Sequence, residues 1–158
     1  MALEIERKFL VIGDFAADVF ESVRIRQAYI SSSAGKTVRV RTRGDKAYLT
    51  IKGPSRQGGL SRFEWEKEIS LEDAEQLLEI AEPGQIDKTR NLIRNTDGRH
   101  VWEVDVFHGD NEGLIIAEIE LQGEDDTFDV PDWLGPEVTG LRQYYNSSLV
   151  NHPYKSWE

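Results

Sequence analysis

The sequence predicts a mainly β (α+β) fold in which eight antiparallel strands close into a barrel. Three observations lead to this prediction. Eight segments alternate in the manner of strands, short turns join most of them, and charged side chains dominate one face of nearly every strand. The few predicted helices have apolar faces that need a sheet on which to pack. We therefore expect the apolar face of the barrel to point outwards and the charged face to line a tunnel.

The first strand, residues 3–12, carries two glutamates and a lysine on one face. Because side chains alternate along a strand, Glu4, Glu6 and Lys8 share that face. The two carboxylates stand about 7 Å apart along the strand, so both can reach one divalent cation or two neighbouring cations. The Lys8 ammonium can then bind an anionic ligand of that metal. The same pattern would also arise in a strand whose charged side chains simply face water and have no functional role.

Seven further strands follow the first along the chain. The clearest is residues 37–43 (TVRVRTR), which alternate without interruption. Gly44 and Asp45 form the turn that leads this strand back into residues 47–52 as a hairpin. The seven strands are predicted at residues 24–31, 37–43, 47–52, 62–69, 86–93, 100–107 and 114–121.

Helices and loops connect these strands. Residues 14–22 are short and amphipathic and predict a short helix or a loop, and residues 53–59 predict a flexible, glycine-rich loop. Ser70 is a favourable N-cap for a helix that ends near Ala81, because its hydroxyl can accept a backbone N–H of the first turn. Residues 141–151 predict a last helix.

Composition excludes several classes of protein. The 158 residues suit a single domain over residues 1–158. The chain has no cysteine, so thiolate metal sites and cysteine nucleophiles are excluded, and its net charge of −10 argues against nucleic acid as a partner. No apolar run approaches the ~20 residues of a membrane span, and the charged first strand predicts no signal peptide. We expect a cytoplasmic protein that binds no membrane.

The charged face carries both signs. A tunnel of this kind suits a strongly anionic ligand that brings its own cations, and a linear polyphosphate meets this description best. Arginine and lysine bind phosphate oxygens, while carboxylates hold Mg²⁺ or Mn²⁺. The face is predicted to comprise Glu4, Glu6, Lys8, Arg24, Arg26, Arg39, Arg41, Arg43, Lys52, Arg62, Glu64, Glu66, Glu68, Lys88, Arg90, Glu103, Asp105, Glu118 and Glu120.

The ordered set of charged pairs resembles the CYTH superfamily, the triphosphate tunnel metalloenzymes. Glu4-x-Glu6-x-Lys8 is similar to the signature of that superfamily, and the resemblance extends over nearly the whole chain. The other matching pairs and single residues are Arg39-x-Arg41, Lys52, Arg62-x-Glu64-x-Glu66, Lys88-x-Arg90, Glu103-x-Asp105 and Glu118-x-Glu120.

The resemblance implies a tunnel that binds triphosphate together with Mg²⁺ or Mn²⁺, as two ions. The implied metal ligands are Glu4, Glu6, Glu64, Glu66, Asp105, Glu118 and Glu120. The implied phosphate-binding residues are Lys8, Arg39, Arg41, Lys52, Arg62, Lys88 and Arg90. The implied catalytic residues are Glu4, Glu6, Lys8, Lys52 and Arg142.

Within the superfamily, the chain most resembles the small bacterial inorganic triphosphatases. In those proteins a terminal helix plugs one end of the tunnel, and the resemblance implies that Arg142 points inwards from it. The usual pattern has a lysine where this chain has Tyr145.

The resemblance thus implies a metal-dependent hydrolase that cleaves inorganic triphosphate to pyrophosphate and phosphate. Three alternatives remain at this point: a nucleoside or thiamine triphosphatase, a class IV adenylyl cyclase, or a non-catalytic module that binds polyphosphate. Loss of the acids would indicate such a module, whereas Glu4/Glu6 and Glu118/Glu120 are both intact. The expected partner is a small anionic substrate, and the protein is expected to be a monomer or a homodimer.

Overall fold

The computed structural model describes residues 2–157, which form one nine-stranded sheet with two α-helices. The strands are β1 (Ala2–Val11), β2 (Val19–Ser31), β3 (Thr37–Arg43), β4 (Lys46–Lys52), β5 (Ser61–Ile69), β6 (Ile86–Arg94), β7 (Val101–Phe107), β8 (Ile115–Glu120) and β9 (Leu134–Glu137). The helices are α1 (Leu71–Glu79) and α2 (Asn146–Leu149). No helix among the described residues is both long and apolar enough to cross a membrane.

Eight of the strands close into an antiparallel barrel in the order β5-β4-β3-β2-β6-β7-β8-β1. β1 closes it, because its first half pairs with β5, where Glu4 lies opposite Arg62. Its second half pairs with β8, where Glu6 lies opposite Glu120. The predicted eight-stranded barrel is therefore confirmed. β9, which adds to the far end of β1, was not predicted, since it lies in a stretch rich in acid and proline.

Two predicted boundaries are wrong. β2 begins at Val19, so residues 14–22 contain only the short 3₁₀ turn Ala16–Asp18 before the strand. The early part of β2 pairs with β6, and this pairing outweighs the helical pattern of the segment. The predicted last helix, residues 141–151, is a 3₁₀ turn at Arg142–Tyr144 followed by the four residues of α2.

The apolar outer face of the barrel packs in two places. α1 begins where the Ser70 hydroxyl accepts the Asp73 N–H at 3.0 Å, as the N-cap prediction requires. It covers β3 and β4 through a cluster that contains Val40, Ala47 and Ala74. On the opposite side, the segment between β8 and β9 covers a larger cluster of Phe9, Ile93, Trp102, Val104, Ala117, Ile119, Leu121, Trp133 and Leu134.

His100 ties that covering segment to the barrel. Its Nδ1 lies 2.7 Å from Asp97 Oδ2 and its Nε2 lies 2.8 Å from Asp126 Oδ2. Burial opposes protonation of the ring, but the hydrogen bonds to Asp126 and Asp97 outweigh burial and raise the pKa of His100. The β6–β7 turn and the covering segment are thus joined by one buried histidine.

The inward face of β2 differs from the prediction. Ile25, Gln27 and Tyr29 are buried inside the barrel, with Tyr29 opposite Arg39 of β3. Arg24 and Arg26 were expected on the charged inner face and instead lie outside, where Arg24 pairs with Asp87 on the outer surface. The side chains of β2 alternate as predicted, but Ile25, Gln27 and Tyr29 point inwards in place of the two arginines. The barrel interior is therefore partly apolar on this strand.

A third apolar cluster closes one end of the barrel interior. Phe107 and Ile116 have the same strand parity as the inward-facing Asp105 and Glu118, and they pack with Leu149 of α2. The complete cluster is Ile86, Phe107, Leu114, Ile116 and Leu149, with Leu10, Tyr144, Val150, Tyr154 and Trp157 around it. The C-terminal segment thus plugs this end of the barrel.

Candidate active site

The barrel interior holds a polar cavity of about 1090 Å³, counted with its opening to solvent. Carboxylates and basic side chains line it in equal number. The carboxylates, called here the acidic group, are Glu4, Glu6, Glu64, Glu66, Glu103, Glu118 and Glu120. The basic side chains, called here the basic group, are Lys8, Arg39, Arg41, Arg43, Lys52, Arg62 and Arg90.

The acidic group is densest where β1 meets β8. Glu6 lies directly opposite Glu120 in this antiparallel ladder, and Glu118 lies opposite Glu103 in the neighbouring β7–β8 ladder. Like charges at directly opposed positions destabilise a sheet unless a counter-ion separates them. The directly opposed pair Glu6 and Glu120 therefore favours a cation between its two carboxylates.

Burial and mutual repulsion change the protonation of these acids. Burial, followed by the charge of Glu118, raises the pKa of Glu6 to about 8. Burial, followed by neighbouring carboxylates, also raises the pKa of Glu120. Glu118 behaves differently: burial alone would raise its pKa, but the positive charges of Lys8, Arg90 and Lys88 together outweigh burial and lower the pKa of Glu118 to about 2. Without a metal ion, the cluster thus keeps a proton on Glu6 at neutral pH.

This donor set suits a hard divalent cation. Mg²⁺ and Mn²⁺ take oxygen ligands, and a cation would remove the repulsion that raises the pKa of Glu6. Among residues 2–157, no three acidic or histidine side chains already converge on one point as a complete metal cage. Mg²⁺ commonly binds through one or two carboxylates, with water and substrate phosphates completing its ligands. The arrangement therefore fits a metal whose remaining ligands are water and the oxygens of an anionic substrate.

The basic group contains buried donors without protein partners. The Nε atoms of Arg39, Arg41 and Arg62 are buried and form no hydrogen bond. Burial, followed by repulsion from Arg39, lowers the pKa of Arg41 to about 10. Arg39, Arg41 and Arg62 all line the cavity, so their guanidinium groups suit an anion with several oxygens.

Lysine side chains link the two groups. Lys52 Nζ lies 3.0 Å from Glu4 Oε1 and 3.4 Å from Glu64 Oε2. Lys8 Nζ lies 3.7 Å from Glu118 Oε1. Each lysine is thus within reach of both a carboxylate and any anion in the cavity.

Three residues predicted for the site do not reach the cavity. Lys88 and Asp105 are almost completely buried behind the wall of the cavity. Lys88 Nζ lies 2.8 Å from Asp105 Oδ2. Arg142 is exposed, so the expectation that it points into the tunnel is wrong. Because Arg142–Tyr144 forms a 3₁₀ turn, the plug presents Tyr145 to the cavity instead.

The cavity also contains residues that the sequence did not assign to it. They include Tyr29, whose inward position depended on the facing of β2, and several hydroxyl and amide groups near the plug. The hydroxyl of Ser55, in the glycine-rich loop, lies 3.3 Å from that of Tyr145. No local sequence signal marks Ser55 and Tyr145, because loop packing alone brings their hydroxyl groups together. The complete additional set is Tyr29, Thr37, Ser55, Gly59, Thr139, Gly140, Tyr145, Asn146 and Ser147.

Comparison with known proteins identifies the class of protein that this barrel and cavity define. Residues 2–152 match the CYTH domain. The chain therefore belongs to the CYTH domain family, as the charged pattern of its strands predicted.

Two relatives are similar over nearly their full length. An inorganic triphosphatase from Acetivibrio thermocellus is 48% identical over 159 residues, which cover 100% of this chain and 99% of that protein. An inorganic triphosphatase from Nitrosomonas europaea is 36% identical over 150 residues, which cover 93% of this chain and 96% of that protein. The crystal structure of the inorganic triphosphatase NE1496 has a TM-score of 0.68 and 32% sequence identity, with 95% of each chain covered.

The raised pKa of Glu6 predicts how stability depends on pH. In the folded protein Glu6 keeps its proton up to a pH of about 8, whereas an unfolded glutamate loses it near its ordinary value of 4.5. The folded state therefore loses stability relative to the unfolded state as the pH rises through this window. Glu6→Gln carries no titrating group, so we expect it to exceed the wild type in stability by at least ~1 kcal/mol above pH 8.

The measurement is denaturant unfolding of both proteins at a series of pH values, in the presence of a chelator. The difference between them should be small near pH 4.5 and grow towards pH 8. Glu68→Gln, on the exposed part of β5, is the matched control. A constant difference at all pH values would contradict the assigned environment of Glu6.

Proposed function

We propose that this protein is a metal-dependent hydrolase that cleaves inorganic triphosphate to pyrophosphate and phosphate. One observation carries the proposal. The cavity combines a cluster of carboxylates suited to divalent cations with buried guanidinium donors suited to phosphate oxygens. An inorganic triphosphate with its metal ions satisfies both sets of groups at once. The names of the two relatives, each an inorganic triphosphatase, support this choice.

The residues have separate roles in this proposal. Glu4, Glu6 and Glu120 bind the metal, with Glu64, Glu66 and Glu118 as further ligands. Mg²⁺ or Mn²⁺, as two ions, would supply electrostatic stabilisation of phosphate charge and acidify a water. Arg39, Arg41 and Arg62 bind the phosphate oxygens and stabilise the charge of the transferred and leaving groups. Lys8 and Lys52 lie between the two sets, so each can bind a phosphate oxygen while remaining close to a carboxylate.

No protein nucleophile is needed for this reaction. Charged side chains dominate the cavity, and its hydroxyl groups belong to residues near the plug and the strand ends. In-line attack by water on a terminal phosphorus needs positioning and charge stabilisation more than covalent chemistry. The acidic group and the basic group supply both.

The wider setting is also proposed. We infer a single domain that acts in the cytoplasm as a monomer or a homodimer, on a small anionic substrate and without nucleic acid or membrane as a partner. The net charge of −10 supports the absence of nucleic acid, since a polyanionic duplex would be repelled.

Removal of one metal-binding oxygen should abolish most of the activity. Glu4→Gln and Glu120→Gln each keep the size of the side chain and remove a charged ligand. We expect each to lower the rate of triphosphate hydrolysis by at least ~100-fold, because loss of a direct ligand should exceed the effect of residues that only support ligands. Glu68→Gln removes a carboxylate from the same strand as Glu64 and Glu66 but outside the cavity. It should retain nearly full activity, and rates close to wild type for both test variants would remove these acids from the site.

Substrate preference tests the proposed function itself. Most groups that line the cavity bind phosphate or metal, and α2 and its neighbours plug one end, so a nucleoside gains little and meets the plug. We expect a much higher kcat/KM for inorganic triphosphate than for ATP or thiamine triphosphate. The assay offers each at equal concentration with Mg²⁺ or Mn²⁺ and measures phosphate, pyrophosphate and cyclic AMP. Preference for ATP would favour a nucleotidase, cyclic AMP a cyclase, and binding without cleavage a polyphosphate-binding module.

A further inference from the structure

Two charged residues of the barrel interior lie behind the cavity wall and not in the cavity itself. Asp105 is completely buried, and Lys88 is 1% exposed. Burial of a charge without a partner is strongly unfavourable. The contacts of these two residues therefore indicate the role of each charged group.

Both oxygens of Asp105 are occupied by protein groups. Oδ1 accepts a hydrogen bond from Arg90 Nε at 2.8 Å, and Oδ2 accepts one from Arg90 Nη2 at 2.9 Å. Lys88 Nζ lies 2.8 Å from the same Oδ2. This parallel, two-pronged contact fixes the plane of a guanidinium group. A metal ion at Asp105 would have to displace one of these cations from a fully buried position.

Arg90 connects this buried pair to the cavity, which it lines. Its Nη1 donates to Glu103 Oε2 at 3.2 Å, so three of the five N–H groups of the guanidinium are engaged by carboxylates. Two N–H groups remain for a ligand. Arg90 is therefore held rigidly by carboxylates on one side and keeps two free N–H donors. The buried Nε atoms of Arg39 and Arg41, in contrast, have no hydrogen-bond partner.

The charges of this network balance without any ligand. Lys88 and Arg90 contribute two positive charges, and Asp105 and Glu103 contribute two negative charges. Burial favours loss of the proton from Lys88, whereas the adjacent Asp105 favours the protonated form. The net effect lowers the pKa of Lys88 to about 8. The network needs no metal ion for neutrality, unlike the opposed glutamates of β1 and β8.

We propose that Asp105 is a positioning residue and not a metal ligand: with its charge balanced by Lys88, it orients Arg90 to bind a phosphate group of the substrate. The identity of that substrate rests on the proposed function. The same placement makes Lys88 a support for Asp105, out of contact with phosphate. Glu103 and Asp105 lie two residues apart on the same face of β7. Glu103 lines the cavity and Asp105 is buried behind it, so only the depth of the side chain distinguishes the two.

Two binding measurements separate a positioning residue from a metal ligand. The first is calorimetric titration of inorganic tripolyphosphate into the protein with a chelator present, so that no metal contributes. The second is titration with Mn²⁺ alone, followed by the loss of the spectroscopic signal of the free ion. Neither involves turnover, so a failure of this inference is distinct from a failure of the proposed hydrolase activity, which the wild-type assay reports.

Asp105→Asn should weaken metal-free binding of tripolyphosphate by about 10-fold or more, since it loosens a charge-assisted anchor. Its affinity for Mn²⁺ should stay within about 3-fold of wild type, whereas Glu4→Gln, at a proposed metal ligand, should lose at least ~10-fold. Arg90→Ala should weaken metal-free binding of tripolyphosphate. Adding Asp105→Asn to Arg90→Ala should cause no further loss, because Asp105 acts through Arg90.

Two results would overturn the proposal. One is a loss of Mn²⁺ affinity in Asp105→Asn that matches Glu4→Gln. The other is an additive loss of tripolyphosphate affinity when Asp105→Asn is combined with Arg90→Ala. If Asp105→Asn alone does not fold, Lys88→Met combined with Asp105→Asn removes both charges of the buried pair and permits the same measurements.

Discussion

The structure depends on a repulsion that the fold does not relieve: side chains of like charge lie next to one another on the inner face of a closed barrel. Glu6 opposes Glu120 where β1 meets β8, and Arg39 lies two residues from Arg41 on β3. The raised pKa of Glu6 and the lowered pKa of Arg41 both report this repulsion together with burial. A ligand that carries anionic oxygens and divalent cations removes both effects, so the cavity is already shaped for such a ligand.

Packing elsewhere keeps the repelling groups in place. The outer face of the barrel is held by α1 on one side and by the aromatic cluster around Trp102 on the other. The plug fills one end of the interior with apolar side chains, and the charge-balanced network of Lys88, Arg90, Asp105 and Glu103 stiffens the wall of the cavity. Because these regions are well packed, the strands cannot move apart to separate the like charges. The site is thus rigid where it is neutral and strained only where a ligand is expected.

Much of this arrangement could be predicted from the sequence, because a closed barrel with one charged face imposes strict alternation. The acids of β1 and β8 and the arginines of β3 follow that alternation and line the cavity. β2 could not be assigned in this way, since its two faces each mix charged or polar with apolar residues, and the structure turns Tyr29 inwards. The alternation of side chains also does not show how deeply each one is buried, which is why Asp105 was placed with Glu103 on the charged face that lines the tunnel. The positions of Arg142 and Tyr145 depend on how a short turn packs against the barrel end, and no periodic pattern encodes that packing.

We infer that the charged inner face of the barrel is a ligand site and not a solvated surface. The most direct measurement is the melting temperature with and without inorganic tripolyphosphate and Mn²⁺ together. At a ligand concentration of 100 times Kd, linkage gives a stabilisation of about 2.7 kcal/mol, which corresponds to about 5 to 10 °C for a chain of this size. Arg39→Ala should reduce that increase while remaining folded, and Glu68→Gln should leave it intact. An unchanged melting temperature at saturating tripolyphosphate and Mn²⁺ would show that this face is a solvated surface.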